Sequence, residues 1–173
     1  VKYIKVYPID NFEKLRDQFL EEVNLRKVAD KISGDYWGGS RYSINDAKAI
    51  SKTDKYLDPF VEMVSKPIEN YCKEWSCIQY NIHSIWVHDY DVGAKYIHHT
   101  HHLTNMSGVV HLRLEDERDC TWLQGDTSPI KEGDVVLFPS MHPHASLETH
   151  GKKIVVSFNW NMHGEHNVSP KLW

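Results

Sequence analysis

A chain of 173 residues, 40% hydrophobic, 12% aromatic and 25% charged, has the size of one domain and the make-up of a folded core, which excludes a disordered tail. Its formal net charge of -4 offers no field to a long nucleic acid or an anionic membrane surface. The three cysteines, Cys72, Cys77 and Cys120, match no zinc or redox spacing, and no run approaches the ~20 apolar residues of a membrane helix; a soluble protein of a reducing, cytoplasmic compartment is expected.

Tyr3 to Tyr7 reads as a short strand. From Asp10 to about Asp30, Phe12, Leu15, Phe19, Leu20, Val23 and Leu25 recur at mostly helical spacing, with Asp10 or Asn11 available as a cap. Ser33 to Ser43, SGDYWGGSRYS, has no period and reads as a loop, a candidate lid with Trp37 and Arg41 facing substrate. Tyr56 to Trp75 repeats Leu57, Phe60, Val61, Val64, Ile68 and Tyr71 at three and four, predicting a second helix bent at Pro67.

The period changes from Tyr80 onward. Strands are expected at Asn81 to Tyr90, Tyr96 to His101, Ser107 to Leu114, Cys120 to Leu123, Asp134 to Pro139, Ala145 to Leu147 and Lys153 to Trp160. With no repeat or linker, this is an α+β plan: residues 1–79 form a helical buttress with its lid loop, 80–160 a double-stranded β-helix of jelly-roll or cupin-like type, and 161–173 a tail.

All twelve histidines lie between His83 and His166, and six of them, His98, His99, His101, His102, His142 and His144, sit in two short segments. Neutral imidazole is a ready ligand for first-row metals near pH 7. Strand alternation puts His99 and His101 on one face and His98 and His102 on the other. A helical reading would instead pair His98 with His102, but Gly93, Ser107-Gly108 and the β-prone VVHLRL argue against a helix. For a third ligand from a distant strand, EGDVVLFPSMHPHA offers His142 and His144 on equal terms.

Several short pieces occur in an order that resembles the 2-oxoglutarate/Fe(II)-dependent oxygenases of marine bacteria and phages. They are WVHDY (Trp86 to Tyr90), Gly93, HTHH (His99 to His102), SGVVHL (Ser107 to Leu112), GDVVLFPSMHPH (Gly133 to His144) and KIVVSFN (Lys153 to Asn159). Carried over residue by residue, the resemblance implies His99, His101 and His144 as the metal and catalytic residues, and passes over His142. The related cupin pattern, G-x5-H-x-H at Gly93, His99 and His101, selects the same three.

The resemblance further implies Fe(II) and 2-oxoglutarate as cofactors and O2 as cosubstrate. The implied reaction is hydroxylation of a C–H bond in a small molecule or side chain, in the cytoplasm, including that of a phage-infected bacterial host. Trp86, Tyr90 and Asn159 would line the cosubstrate pocket, together with His111 and Phe158. Two departures matter. The usual H-x-carboxylate is H-x-H, so His101 either binds the metal or stands behind it, leaving two protein ligands. The Arg-x-Ser expected to clamp the cosubstrate reads Lys153-Ile154-Val155, so the cation is Lys153 or Arg113, or 2-oxoglutarate is no longer used. The competing readings are a three-histidine cupin-type metalloenzyme without 2-oxoglutarate and a non-enzymatic jelly-roll binding protein.

Overall fold

The computed structural model describes residues 2–24, 36–37, 40–43 and 57–164. Among the described residues, ten strands and two α-helices follow in order: β1 (Lys5–Pro8), α1 (Phe12–Asn24), β2 (Tyr36–Trp37), β3 (Ser40–Ser43), α2 (Leu57–Glu74), β4 (Cys77–Tyr90), β5 (Lys95–His99), β6 (Met106–Leu114), β7 (Trp122–Leu123), β8 (Asp134–Pro139), β9 (His144–Ser146) and β10 (Lys153–Gly164). They build two antiparallel sheets, a major one ordered β1-β8-β6-β10-β4-β3 and a minor one ordered β2-β5-β9-β7. The expected α+β double-stranded β-helix with buttressing helices is what forms.

The major sheet is largely buried on both faces because two different partners cover it. On its outer face α2 lays down Phe60, Met63, Val64, Ile68 and Tyr71, joined by Leu15 and Phe19 of α1, against Ile85, Val110, Leu137, Val156, Phe158 and Trp160. Burying each of these side chains contributes about 1.5–3 kcal/mol. The inner face carries Tyr90, Val109, Val136, Phe138 and Val155 toward the minor sheet. Pro67 is buried inside α2, which runs on through it.

Some expectations require correction. Ser33 to Ser43 is not wholly loop: β2 pairs with β5 and β3 with β4, adding one strand to the edge of each sheet. The strand holding the first histidines stops at His99, so His101 lies beyond it. β10 runs on to Gly164 and takes in the start of the expected tail. Residues 25–30 of the expected first helix, and the side chains of Trp37 and Arg41, lie outside the described residues. Among the described residues, no helix is long and apolar enough to cross a membrane, and Cys72, Cys77 and Cys120 are free thiols.

Candidate metal centre

Cross-strand register decides what faces the space between the sheets, because directly opposed residues share a face. On the major sheet Lys153 opposes Tyr90, Val155 opposes His88 and His111, Ser157 opposes Trp86 and Val109, and Asn159 opposes Ser84 and Ser107. On the minor sheet His99 opposes His144 and Tyr96 opposes Ser146. Between them lies a cavity of about 280 Å³ bounded by Trp86, His99, His101, His144, Lys153 and Asn159, among others.

His99, His101 and His144 each bring one ring nitrogen to within 4.8 Å of the others. Ring centroids are separated by 4.2 Å for His99 and His144, 5.1 Å for His99 and His101, and 5.0 Å for His101 and His144. His101 reaches the group from a loop whose backbone is fixed by its own N–H donating to Ser140 O at 2.9 Å. In all three rings Nδ1 faces an acceptor: Ile97 O for His99 at 2.9 Å, His142 O for His144 at 2.9 Å, and Asn159 Oδ1 for His101 at 2.7 Å. A carbonyl oxygen can only accept, so each Nδ1 donates and the lone pair is on Nε2. Burial pushes His144 down to about 3, with His99 adding to the effect, so it is a neutral base at any physiological pH.

The other clustered histidines do not join. His98 packs its ring 4.5 Å from that of Trp122, His102 is exposed at the rim of the cavity, and His142 lies edge-on to Tyr3 at 6.0 Å.

Lys153 is not a surface strand-end lysine; it is 1% exposed. Its Nζ donates to Ser146 Oγ at 2.8 Å and lies 5.0 Å above the ring of Tyr90. Among the described residues no carboxylate lies within ion-pair distance of it, and burial lowers it to about 8. Arg113 is elsewhere. A register shift sets Arg113 opposite Ile154 but His111 opposite Val155, so β6 spends one extra residue there. That bulge turns Arg113 to the face away from Lys153, where it is exposed and paired with Glu115. The reading of Arg113 as a pocket cation is therefore corrected.

Trp86 lines the cavity with its ring 5.9 Å from that of His101, and Tyr90 OH contacts His88 Nδ1 at 3.4 Å. His111 lies deeper, fully buried, its Nε2 accepting from the Thr121 hydroxyl at 3.0 Å and its Nδ1 directed at Asp134 O. Burial, reinforced by Lys153, lowers it to about 3. Phe158 faces the helices instead. Ser146 and Thr121 escaped the sequence reading, and Ser107 entered it only as part of a motif piece; the signal for Ser146 was its place two residues after His144, on the same strand face.

The donor set suits a first-row divalent metal, since three imidazoles each bring a ring nitrogen into one group while each Nδ1 faces an acceptor. The buried ammonium suits an anionic group beside it, because a desolvated cation with no carboxylate at ion-pair distance among the described residues is otherwise costly. Ser146 is two residues from His144, about 7 Å along β9, so one short dicarboxylate can reach from the histidines to Lys153.

No protein-family model matches the sequence, and no curated protein matches it. Solved structures do share its architecture. A prolyl-4-hydroxylase of Pseudomonas putida is 14% identical over 94% of each chain, with a TM-score of 0.63. An oxidoreductase of the 2OG-Fe(II) oxygenase family from Burkholderia pseudomallei is 12% identical over 94% of this chain and 87% of its own, with a TM-score of 0.66. The viral collagen prolyl hydroxylase of Paramecium Bursaria Chlorella virus-1, solved with 2OG, is 16% identical over 91% of this chain and 95% of its own, with a TM-score of 0.56. At such identities the likeness is one of architecture, and the chain has the double-stranded β-helix fold of these 2-oxoglutarate/Fe(II) oxygenases.

Proposed function

We propose that this protein is a non-heme Fe(II)- and 2-oxoglutarate-dependent oxygenase that hydroxylates a C–H bond of a small molecule or side chain, acting in the cytoplasm as one domain. The observation that carries the reading is the pairing, in one cavity, of three converging imidazoles with a buried, carboxylate-free lysine. The likeness to the marine and phage branch of the family rests on the motif order alone.

His99, His101 and His144 hold the metal through Nε2. Iron with 2-oxoglutarate and O2 would supply the oxidising chemistry: the keto acid would lose CO2 and take one atom of O2 to become succinate, and the other atom would enter the substrate C–H bond. The chain's own residues do the rest. Lys153 meets the distal carboxylate of the cosubstrate and fixes its direction, and the hydroxyl of Ser146, already bonded to Lys153, shares that contact. Three neutral ligands leave the metal its full charge, which favours an anionic chelate. Tyr90 and Val155 make the wall beside Lys153 apolar and keep bulk water from screening the pair.

The histidine in the place of the usual carboxylate also favours a second reading, a three-histidine metalloenzyme that does not use 2-oxoglutarate. Anaerobic titration with Fe(II) and then 2-oxoglutarate, followed by visible absorption and thermal shift, separates the two. A charge-transfer band and a further rise in Tm on adding 2-oxoglutarate support the oxygenase; metal binding with no response to 2-oxoglutarate leaves the second reading. A protein that takes up no stoichiometric metal is a binding protein, and both fall.

A further inference from the structure

The three histidines are not held alike. The Nδ1 atoms of His99 and His144 donate to carbonyls of their own chain two residues back, Ile97 O and His142 O, contacts that the local backbone supplies whatever the neighbouring side chains are. His101 is held from across the sheet. Its Nδ1 donates to Asn159 Oδ1 at 2.7 Å, from β10, 58 positions away. The same oxygen accepts from Ser107 Oγ at 2.9 Å, so the amide is itself fixed in one orientation. Asn159 and Ser107 are buried and directly opposed on β10 and β6. Next to them β4 carries a register shift opposite Asn159 and Trp160, the kind of bulge that re-aims a side chain near a functional site.

We infer that Asn159, locked by Ser107, is the positioning residue that makes His101 a metal ligand. The inference rests on the three-histidine reading above. A ring can offer Nε2 to a metal only while Nδ1 carries the proton, and that proton needs an acceptor away from water. Asn159 supplies that acceptor, and it carries no charge. An aspartate there would hold the same proton while drawing the ring toward the imidazolate and cancelling part of the metal's charge.

The test compares Asn159→Ala, Asn159→Asp, Ser107→Ala and His101→Ala with the wild type, measuring Fe(II) and Co(II) affinity by competition with a chromophoric chelator. It adds imidazole ¹⁵N shifts of the metal-free protein. Asn159→Ala is expected to weaken metal binding roughly 10- to 100-fold, Asn159→Asp to hold metal at least as tightly as the wild type, and Ser107→Ala to show a smaller loss. The ¹⁵N shifts should show His101 leaving the Nδ1–H tautomer in Asn159→Ala while His99 and His144 keep it, a change that loss of packing alone does not produce. If Asn159→Ala does not fold, the tautomer of His101 in Ser107→Ala decides instead, an unchanged tautomer and affinity overturning the inference. Metal held by Asn159→Ala within twofold of wild type, while His101→Ala loses it, also overturns it. Metal held by His101→Ala as tightly as by wild type overturns the three-ligand reading beneath.

Discussion

Lys153 Nζ donates to Ser146 Oγ at 2.8 Å, and with that contact β10 of the major sheet is tied to β9 of the minor sheet across the cavity. The hydroxyl satisfies one of three ammonium donors and brings no charge. Tyr90 contributes its ring face, 5.0 Å from Nζ. The site thus keeps a cation in a dry place with contacts fit for an ammonium but short of a counter-ion.

Replacing that ammonium separates binding from stability. Lys153→Met should lose 2-oxoglutarate affinity by roughly 30-fold or more, the ~2 kcal/mol or greater cost of removing one partner of a buried charge pair. The ligand-free protein should become more stable, by roughly 1–3 kcal/mol, since a desolvated charge is exchanged for an apolar chain of similar volume. Isothermal titration and urea denaturation check the two halves. A variant that binds 2-oxoglutarate as the wild type does removes Lys153 from the cosubstrate site.

The pH dependence follows from burial lowering Lys153 from 10.5 to about 8. The folded value is below the unfolded one, so between them the unfolded chain holds more protons and stability of the ligand-free protein rises as pH goes from about 8 toward 10. A bound dicarboxylate favours the ammonium and lifts its pKa. Affinity for 2-oxoglutarate is therefore full below about 8 and falls by about tenfold per pH unit above it, with proton uptake on binding that calorimetry in two buffers detects. Lys153→Met flattens both profiles.

Much of this was legible in the sequence because motif pieces far apart in the chain turn out to be cross-strand neighbours. Ser107 and Gly108 of SGVVHL oppose Asn159 and Phe158 of KIVVSFN. Strand alternation put His99 and His101 together, although the contact is made differently: β5 ends at His99, and His101 returns from a loop pinned to Ser140. What period-two reasoning could not see is the bulge in β6, which reverses Arg113. Nor does the polar run HGKK reveal that its two lysines part company. Lys152 pairs with Asp89 and Asp91 near the surface, while Lys153 turns inward.

His142 and His144 provide an internal control for the metal site. His144→Ala removes a ring that is within 4.2 Å, centroid to centroid, of His99, and should abolish stoichiometric Fe(II) or Co(II) binding. His142→Ala removes a ring that packs on Tyr3 and should leave metal binding intact, since only its backbone oxygen serves His144. His101→Asp restores the more usual two-histidine, one-carboxylate set. It should retain metal and weaken 2-oxoglutarate, because the added charge opposes the incoming anion. Elemental analysis and the Co(II) absorption spectrum of the four proteins read these outcomes directly.

Gly108 tests how the helices support the site. A Cβ there would come within 2.6 Å of Phe158 Cε1 and 2.9 Å of Leu137 Cδ2. Both side chains are buried, and the Phe158 ring is already set edge-on to Phe60 of α2 at 5.4 Å, so it has little room to yield. Gly108→Ala is expected to destabilise the protein by about 1–3 kcal/mol through overpacking, read as a lowered urea midpoint at unchanged slope. Trimming the obstruction should recover part of the loss: Phe158→Leu should cost less in the Gly108→Ala background than alone, a coupling that a double-mutant cycle isolates. Gly108 opposes Phe158 next to the Ser107–Asn159 pair, so strain at this point should also loosen His101. Metal affinity should therefore fall in Gly108→Ala and return with the second substitution.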